Sequence, residues 1–207
     1  MITIKITDDI QNIQSKVNEA CAKYLNEKII KGKYRIMSAC KRLASSWISS
    51  QPEMESLAGG FLAGAFGLYQ GTEIQAVNAI TTAISDSINV QVVKLNKNLR
   101  GGIFINFQPA NFINLLSLSE GHVVYESGDL HWLQWLLERG DSSIVVNYSY
   151  SPSSGIGRSQ KGAMSRGGVF RVPPEFSGTA NNNFVTRALV GEAQEKDINR
   201  EIINIFK

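Results

Sequence analysis

The densest part of the sequence is GDLHWLQWLLERGD, residues 128–141. Its leucines and tryptophans recur at spacings of three and four residues, which predicts a short helix with a large apolar surface. Asp129 can cap the start of this helix, and Gly140 is typical of the position just past a helix end. Two of the three tryptophans of the chain lie here, so we expect this helix to have a fixed and specific environment.

The next two segments predict a strand and a loop. The run SSIVVNYSY predicts a strand over residues 144–150. Residues 151–168, SPSSGIGRSQKGAMSRGG, have no periodicity and predict a flexible loop or an extended arm. The basic residues of this segment are Arg158, Lys161 and Arg166. An arm of this composition cannot bury itself, so we expect it to become ordered against a neighbouring subunit.

A rigid turn and two helices are predicted at the carboxyl end. Pro173 and Pro174 begin a turn over residues 173–183. Asn183 can cap the helix that follows it. Residues 195–206 carry isoleucines at helical spacing and predict a final amphipathic helix.

The first 50 residues differ in charge from the rest of the chain. They contain nine Lys or Arg and four Asp or Glu, a balance of +5, whereas the remainder contains twelve and fourteen, a balance of −2. Residues 2–7 alternate like a strand, and helical spacing then predicts one helix to about Glu27 and a second to Ser50, with a kink or break at Gly32. The basic balance fits nucleic acid or an acidic partner, and it fits an ordinary solvated helix face as well.

The middle of the chain alternates between helical and strand patterns. The glycine-rich run at 57–71 predicts a tight packing junction, a subunit contact or a plain buried turn, and a helix follows it to about Ile88. The runs NVQVVKLN and GGIFINFQP predict a hairpin. Overall, the sequence predicts a single α+β domain: a small antiparallel or mixed sheet packed by several helices. Residues 1–50 would form a helical N-terminal extension, and residues 51–207 a body with the extended loop 151–168.

No pattern that catalysis requires is complete. The SxxK match at residues 38–41 lacks its partner motifs, and the loop GIGRSQKG has its lysine before, not after, the second glycine of a phosphate-binding loop. His122 and His131 could be drawn as a metal site with Glu126 and Asp129, but a strand, a turn and a helix are predicted across this stretch, and there is no HxH or HExxH pair. We therefore predict no enzyme, no catalytic residue, no cofactor and no bound metal.

Cysteine usage and hydropathy favour a reducing, aqueous location. Cys21 and Cys40 lie in predicted helices without a CxxC pattern, and are interpreted as small buried apolar residues. No run approaches the roughly 20 apolar residues that a membrane span requires. The amino terminus also lacks the pattern of a signal peptide. We expect a soluble protein that is made in the cytoplasm and has no membrane contact.

Residue types that are enriched at protein interfaces cluster in the second half of the chain. An aromatic stripe at helical spacing also fits a protein core, so both interpretations stay open. The candidate subunit contacts are Trp132, Trp135, Glu138, Arg139, Pro173, Pro174, Phe176, Phe184 and Arg187. The candidate contacts with DNA or an acidic partner are Arg158, Lys161 and Arg166.

The order of these segments resembles the neck and tail-completion proteins of tailed bacteriophages. The resemblance covers mainly residues 120–190, with looser support from residues 8–50. A mid-chain aromatic–Glu–Gly segment of that family matches Trp135, Glu138 and Gly140. The segment that opens a late helix in the family matches Phe184, Arg187, Ala188 and Leu189. This chain departs from the family in its longer N-terminal helical region and its additional GFLAGAFG segment.

The resemblance implies a structural virion protein without catalytic residues. Such proteins form rings, commonly sixfold, around the DNA channel at the head–tail junction, next to other neck, portal-side or tail proteins. Two alternatives remain: a tail terminator ring that ends tail-tube polymerisation, and a nucleic-acid-binding protein that uses the basic N-terminal helices.

Overall fold

A computed structural model describes residues 9–126, 128–152 and 154–207. The predicted strand over residues 2–7 lies outside these ranges. The chain order is α1 (Ile10–Ser49), α2 (Pro52–Gly59), α3 (Phe61–Ala65), α4 (Thr72–Ser87), β1 (Asn89–Val93), β2 (Gly102–Asn106), α5 (Ile113–Leu116), a 3-10 turn (Ser119–Gly121), β3 (Val123–Tyr125), β4 (Gly128–Leu130), α6 (Trp132–Leu137), β5 (Val145–Ser151), β6 (Ala163–Phe170), α7 (Phe184–Leu189) and α8 (Glu192–Phe206). This is the α+β fold that the sequence predicts.

The predicted break at Gly32 is wrong, because α1 is one continuous helix of 40 residues. Gly32 is buried at the point where α8 crosses α1. A β-carbon at this position would lie 2.8 Å from Cε1 of Phe206. The glycine therefore permits the close approach of another helix, and the neighbouring turns are sufficient to keep α1 helical despite its low intrinsic propensity.

Substitution of Gly32 by leucine is expected to loosen α8. The leucine would displace Phe206, and α8 contains no fully buried residue that could hold it in place. Overpacking of this kind costs about 1–3 kcal/mol. Hydrogen exchange should become faster over residues 200–206, while the exchange of α4 stays slow. Lys31→Leu, at the exposed neighbouring position, is the matched control, and equal effects of the two variants would contradict the prediction.

A single apolar core joins α1, the central helices and α7. The second half of α1 is part of it, since Ile36, Cys40, Ala44 and Ile48 are all buried. The second half of α1 is therefore part of the body, so the whole of residues 1–50 does not form an extension from it. The glycine-rich run at 57–71 also lies in this core, because Leu57, Leu62 and Phe66 have no exposed surface. It forms a packing junction within the chain.

Three antiparallel hairpins surround the helices in the described part of the chain. In the first, β1–β2, Val90 opposite Ile105 packs towards the core. The second, β3–β4, places Asp129 opposite Val124. Asp129 is consequently a strand residue, and the prediction that it caps α6 is wrong: His131 precedes this helix, without a side-chain cap.

The third hairpin shows that the prediction of a loop over residues 151–168 is wrong in part. The second part of this segment belongs to the strand β6, which pairs with β5 from Ser151 opposite Ala163 to Val145 opposite Phe170. Tyr148 pairs with Arg166 next to a register shift. The alternation of β6 is hard to read from the sequence because its middle residues are Ser165, Arg166, Gly167 and Gly168. None of the helices within the described residues is long and apolar enough to cross a membrane.

Candidate functional site

The first part of α1 forms an arm that projects from the body. We call residues 10–21 the helical arm: all of them are exposed except Asn18, which is half-buried. At 1.5 Å per residue the arm is about 18 Å long. Its apolar side chains Ile10 and Val17 are 78% and 53% exposed. A projecting helix with uncovered aliphatic residues is typical of a surface that another molecule covers.

The exposed apolar residues of the arm lie on one side of α1. At about 100° per residue, Ile10, Ile13 and Val17 of the arm and Tyr24, about one turn beyond it, fall within an arc of about 60°. We call these four residues the arm stripe. The body contacts α1 from nearly the opposite side, through buried Ala22 and through Asn26. The Asn26 amide exchanges two hydrogen bonds with the backbone of Leu95, at 2.8 and 3.0 Å. The arm stripe therefore faces away from its own subunit.

The β5–β6 hairpin is a second exposed apolar surface. Val146, Tyr148, Met164 and Val169 are each at least 40% exposed. Within the described chain each strand pairs only with the other, so both outer edges keep free backbone groups. Buried Phe170 anchors one end. At the other end, the Tyr150 ring meets the Phe61 ring edge-on at 5.1 Å.

A cleft of about 800 Å³ lies beneath this hairpin. Aromatic side chains form much of its wall, among them Tyr125, Trp135, Tyr148 and Tyr150. The small residues Gly64 and Ala65 also line it, and the Tyr150 hydroxyl occupies the space that a β-carbon at Gly64 would need. Tyr148 and Met164 belong to both the hairpin and the cleft, so this chain has two uncovered apolar regions: the hairpin with its cleft, and the arm stripe.

Two of the three basic residues predicted to face DNA have partners within the chain. The Arg158 guanidinium lies over the rings of Tyr69 and Tyr125, at 3.9 and 4.8 Å from their centroids. It also donates to the carbonyl oxygen of Val124 at 3.2 Å. Such stacking holds the cation in one place.

Lys161 is held in a similar way. Its Nζ donates to the carbonyl oxygen of Gly59 at 2.8 Å and lies 3.4 Å from a carboxylate oxygen of Glu73. Arg166 differs, since it lies on β6 with its side chain exposed. Arg158 and Lys161 therefore have partners within the chain, and contact with DNA or an acidic partner stays a prediction for all three residues.

The predicted interface residues divide into core and surface positions. Trp132 and Phe184 have no exposed surface and belong to the core. Trp135 and Glu138 are half-buried, as are Pro173 and Phe176, while Pro174 and Arg139 are exposed. The Arg139 guanidinium lies 5.7 Å from the Trp135 ring centroid. A subunit contact stays a prediction for these six.

The turn over residues 173–183 is held by the end of α6. The amide of Gly178 donates to the carbonyl oxygen of Trp135 at 3.2 Å, and the amide of Gly140 donates to the carbonyl oxygen of Gly178 at 2.8 Å. Asn183 forms the predicted cap, as its side chain accepts from the amides of Val185 and Thr186. The turn therefore has its partners within the chain.

Arg187 is the remaining predicted contact, and it forms an ion pair. Its guanidinium donates to Oε1 of Glu53, whose side chain has no exposed surface. Burial raises the pKa of the Glu53 carboxyl, and a backbone hydrogen bond and the Arg187 charge oppose this rise. The pair joins α2 to α7 across 134 residues of sequence.

A cluster of two histidines and one aspartate lies on the β3–β4 hairpin. Nδ1 of His122 lies 2.8 Å from Oδ1 of Asp129, and Nε2 of His131 lies 3.3 Å from Oδ2 of the same carboxylate. The two imidazole rings stack, with 5.0 Å between centroids and 11° between planes. The sequence contains a signal for this arrangement, because Asp129 and His131 are two residues apart and a turn places His122 opposite them. Glu126 is exposed at the turn and is not a member of the cluster.

The cysteines fit the sequence interpretation in part. Cys40 is buried, and its burial raises the pKa of the thiol to about 11, so it is a protonated apolar residue. Cys21 is exposed on the helical arm, which corrects the prediction that it is buried.

Comparisons with protein-family models, curated proteins and solved structures found no match to this chain.

Proposed function

We propose that this chain is a structural assembly subunit that binds copies of itself through the helical arm. The observation that carries the proposal is the arm stripe, whose four apolar side chains face away from the body. Each of them is at least 38% exposed in the single chain. Covering such residues with another subunit would remove their apolar surface from water, which favours association by about 25 cal/mol per Å².

The charge difference between α1 and the rest of the chain is compatible with a second copy as the partner. The first 50 residues have a balance of +5, and the rest of the chain has a balance of −2. The helical arm itself contains one lysine and one glutamate, Lys16 and Glu19, so the basic balance belongs to the part of α1 beyond the arm. A contact of that part with the body of a neighbour would bring opposite charges together. A head-to-tail contact of this kind produces a closed ring when its rotation closes.

The place we propose for this assembly is the head–tail junction of a tailed bacteriophage. The resemblance of residues 120–190 to neck and tail-completion proteins supports this position. The β5–β6 hairpin supports it as well, since a strand with a free edge can extend a sheet into the next subunit. A ring that ends tail-tube polymerisation remains the alternative position in the virion.

Weakening the arm stripe is expected to abolish self-association while the subunit remains folded. Ile13→Ser combined with Val17→Ser removes apolar surface at 38% and 53% exposed positions, so the core should be unaffected. The native mass in solution should fall from that of an oligomer to that of a monomer. The matched control is Asn12→Ser with Ser15→Asn, which changes the opposite side of the same helix.

Three outcomes decide between the candidate functions. An oligomeric parent protein, a monomeric stripe variant and an oligomeric control would support the proposal, and negative-stain images would then give the symmetry of the ring. An oligomer that the stripe variant leaves intact would contradict it. A monomeric parent that binds DNA with a steep salt dependence would favour the nucleic-acid alternative, for which the exposed side chains of Lys23, Lys31 and Arg35 on α1 are the candidate contacts.

A further inference from the structure

We propose that His122, Asp129 and His131 form a binding site for one divalent metal ion of the zinc type. Each residue offers one ligand atom, and these three atoms all lie within 4.8 Å of one another. Two imidazoles and one carboxylate are a ligand set that first-row transition metals favour. The site is independent of self-assembly through the helical arm.

The register of the hairpin explains why the three side chains meet. Val123 pairs with Leu130 and Val124 pairs with Asp129, so His122 and His131 are the next opposed positions beyond the hydrogen-bonded strands. Side chains alternate between the two faces of a hairpin. Val123 and Leu130 point towards the core, and His122, Asp129 and His131 share the outer face with exposed Val124.

The distances are close to those that a bound ion needs. With bonds of about 2.0–2.1 Å, adjacent ligands of a tetrahedral zinc ion lie about 3.3 Å apart. The distance from Nε2 of His131 to Oδ2 of Asp129 is already 3.3 Å. Nδ1 of His122 lies 2.8 Å from Oδ1 of Asp129, so one side chain would have to move by about 0.5 Å. Rotation of a partly exposed carboxylate supplies such a movement.

The site is open enough for an ion to enter and for a fourth ligand to bind. The side chains of His122, Asp129 and His131 are 28%, 38% and 58% exposed. Three protein ligands leave the fourth position of a tetrahedral ion to water or to a group of another molecule. The stacked rings keep two of the ligands close together, and one ring has to rotate so that both nitrogen lone pairs, which lie in the ring planes, point at one ion.

Zinc binding by the full chain tests the proposal. The protein should carry no histidine tag, and Cys21→Ser should be the parent background because the exposed thiol of Cys21 is another zinc ligand. Isothermal titration with Zn²⁺ should then show one ion per chain. Co²⁺ should bind at the same site and give visible absorption that zinc displaces.

The variants separate a metal site from an ordinary ion pair. Asp129→Asn and His131→Gln should each weaken zinc binding by about 10- to 100-fold or more. Glu126→Gln, at the turn of the same hairpin, should bind zinc like the parent. His131 has the most exposed side chain of the three, so His131→Gln should disturb the fold least. Circular dichroism shows whether each variant is folded. The absence of zinc binding by the parent, or equal binding by the parent and His131→Gln, would overturn the proposal.

Discussion

Replacing Trp132 with alanine is expected to lower the free energy of unfolding by about 3–5 kcal/mol. The side chain has no exposed surface and stacks on Phe66, with 5.3 Å between ring centroids. Truncation would leave a cavity between α6 and the glycine-rich helices, and close-packed surroundings relax into such a cavity only in part. Urea unfolding of the subunit should show the loss directly.

Two further variants test whether the loss of stability in Trp132→Ala comes from the core position of this side chain. Trp132→Phe should cost less, because the indole Nε1 has no hydrogen-bond partner among the described residues and the ring stack can be retained. Trp135→Ala, at a half-buried position in the cleft, should destabilise the subunit less than Trp132→Ala. If Trp132→Ala unfolds at the same urea concentration as the parent and loses only self-association, Trp132 is an interface residue and its assignment to the core is wrong.

Arg187→Ala is expected to destabilise the subunit towards the lower end of about 3–5 kcal/mol at neutral pH. The variant leaves the carboxylate of Glu53 buried without its cation, and Oε2 of this group already has no hydrogen-bond partner within the described chain. The lower end applies because the Arg187 side chain is 39% exposed and water screens part of its charge. Chemical unfolding at pH 7 measures the effect.

The pH dependence of this loss has a defined sign. Burial raises the pKa of Glu53 in the folded state above its ordinary value of 4.5, so the folded state binds the proton more tightly than the unfolded state. The stabilisation that comes from protonated Glu53 is fully present below the ordinary pKa. It is lost as the pH rises through the pKa of Glu53 in the folded state. Without Arg187 the folded pKa rises further. The deficit of Arg187→Ala should therefore shrink as the pH falls towards 4.5.

A second substitution provides the control for the ion pair. Glu53→Gln removes the buried charge, so Arg187→Ala combined with Glu53→Gln should be more stable at neutral pH than Arg187→Ala alone. The double variant should also lose the pH dependence described above. A double variant as unstable as Arg187→Ala at every pH would show that Arg187 acts through packing of its aliphatic portion, and not through its charge.

Local patterns of the sequence predicted most of the elements. Helical spacing indicated α4 and α8, alternation indicated β1 and β2, and the cap at Asn183 was identified correctly. These features depend on residues within one or two turns of each other, so a single segment contains the necessary information. The errors lie where a distant segment decides the outcome. Gly32 lies within a continuous helix, at the point where α8 packs on it, and the polar and glycine-rich β6 is a strand because β5 pairs with it.

The candidate sites depended still more on the tertiary structure. Apolar spacing was visible in α1 and α6 alike, but only packing decides that Ile36 and Trp132 are core residues while Ile10 and Val17 are exposed. The histidine cluster also needs the register of β3 with β4, since a shift by one residue would place His122 on the opposite face.

The sequence by itself thus determined the α+β class, the presence of helices such as α4 and α8, and the charge difference between the first 50 residues and the rest. Only the tertiary structure decided which apolar faces are covered and that His122, Asp129 and His131 share one face of a hairpin. The physical reason is that periodicity is a local property of the chain, whereas burial and strand register are set by the free energy of packing segments that are far apart in sequence.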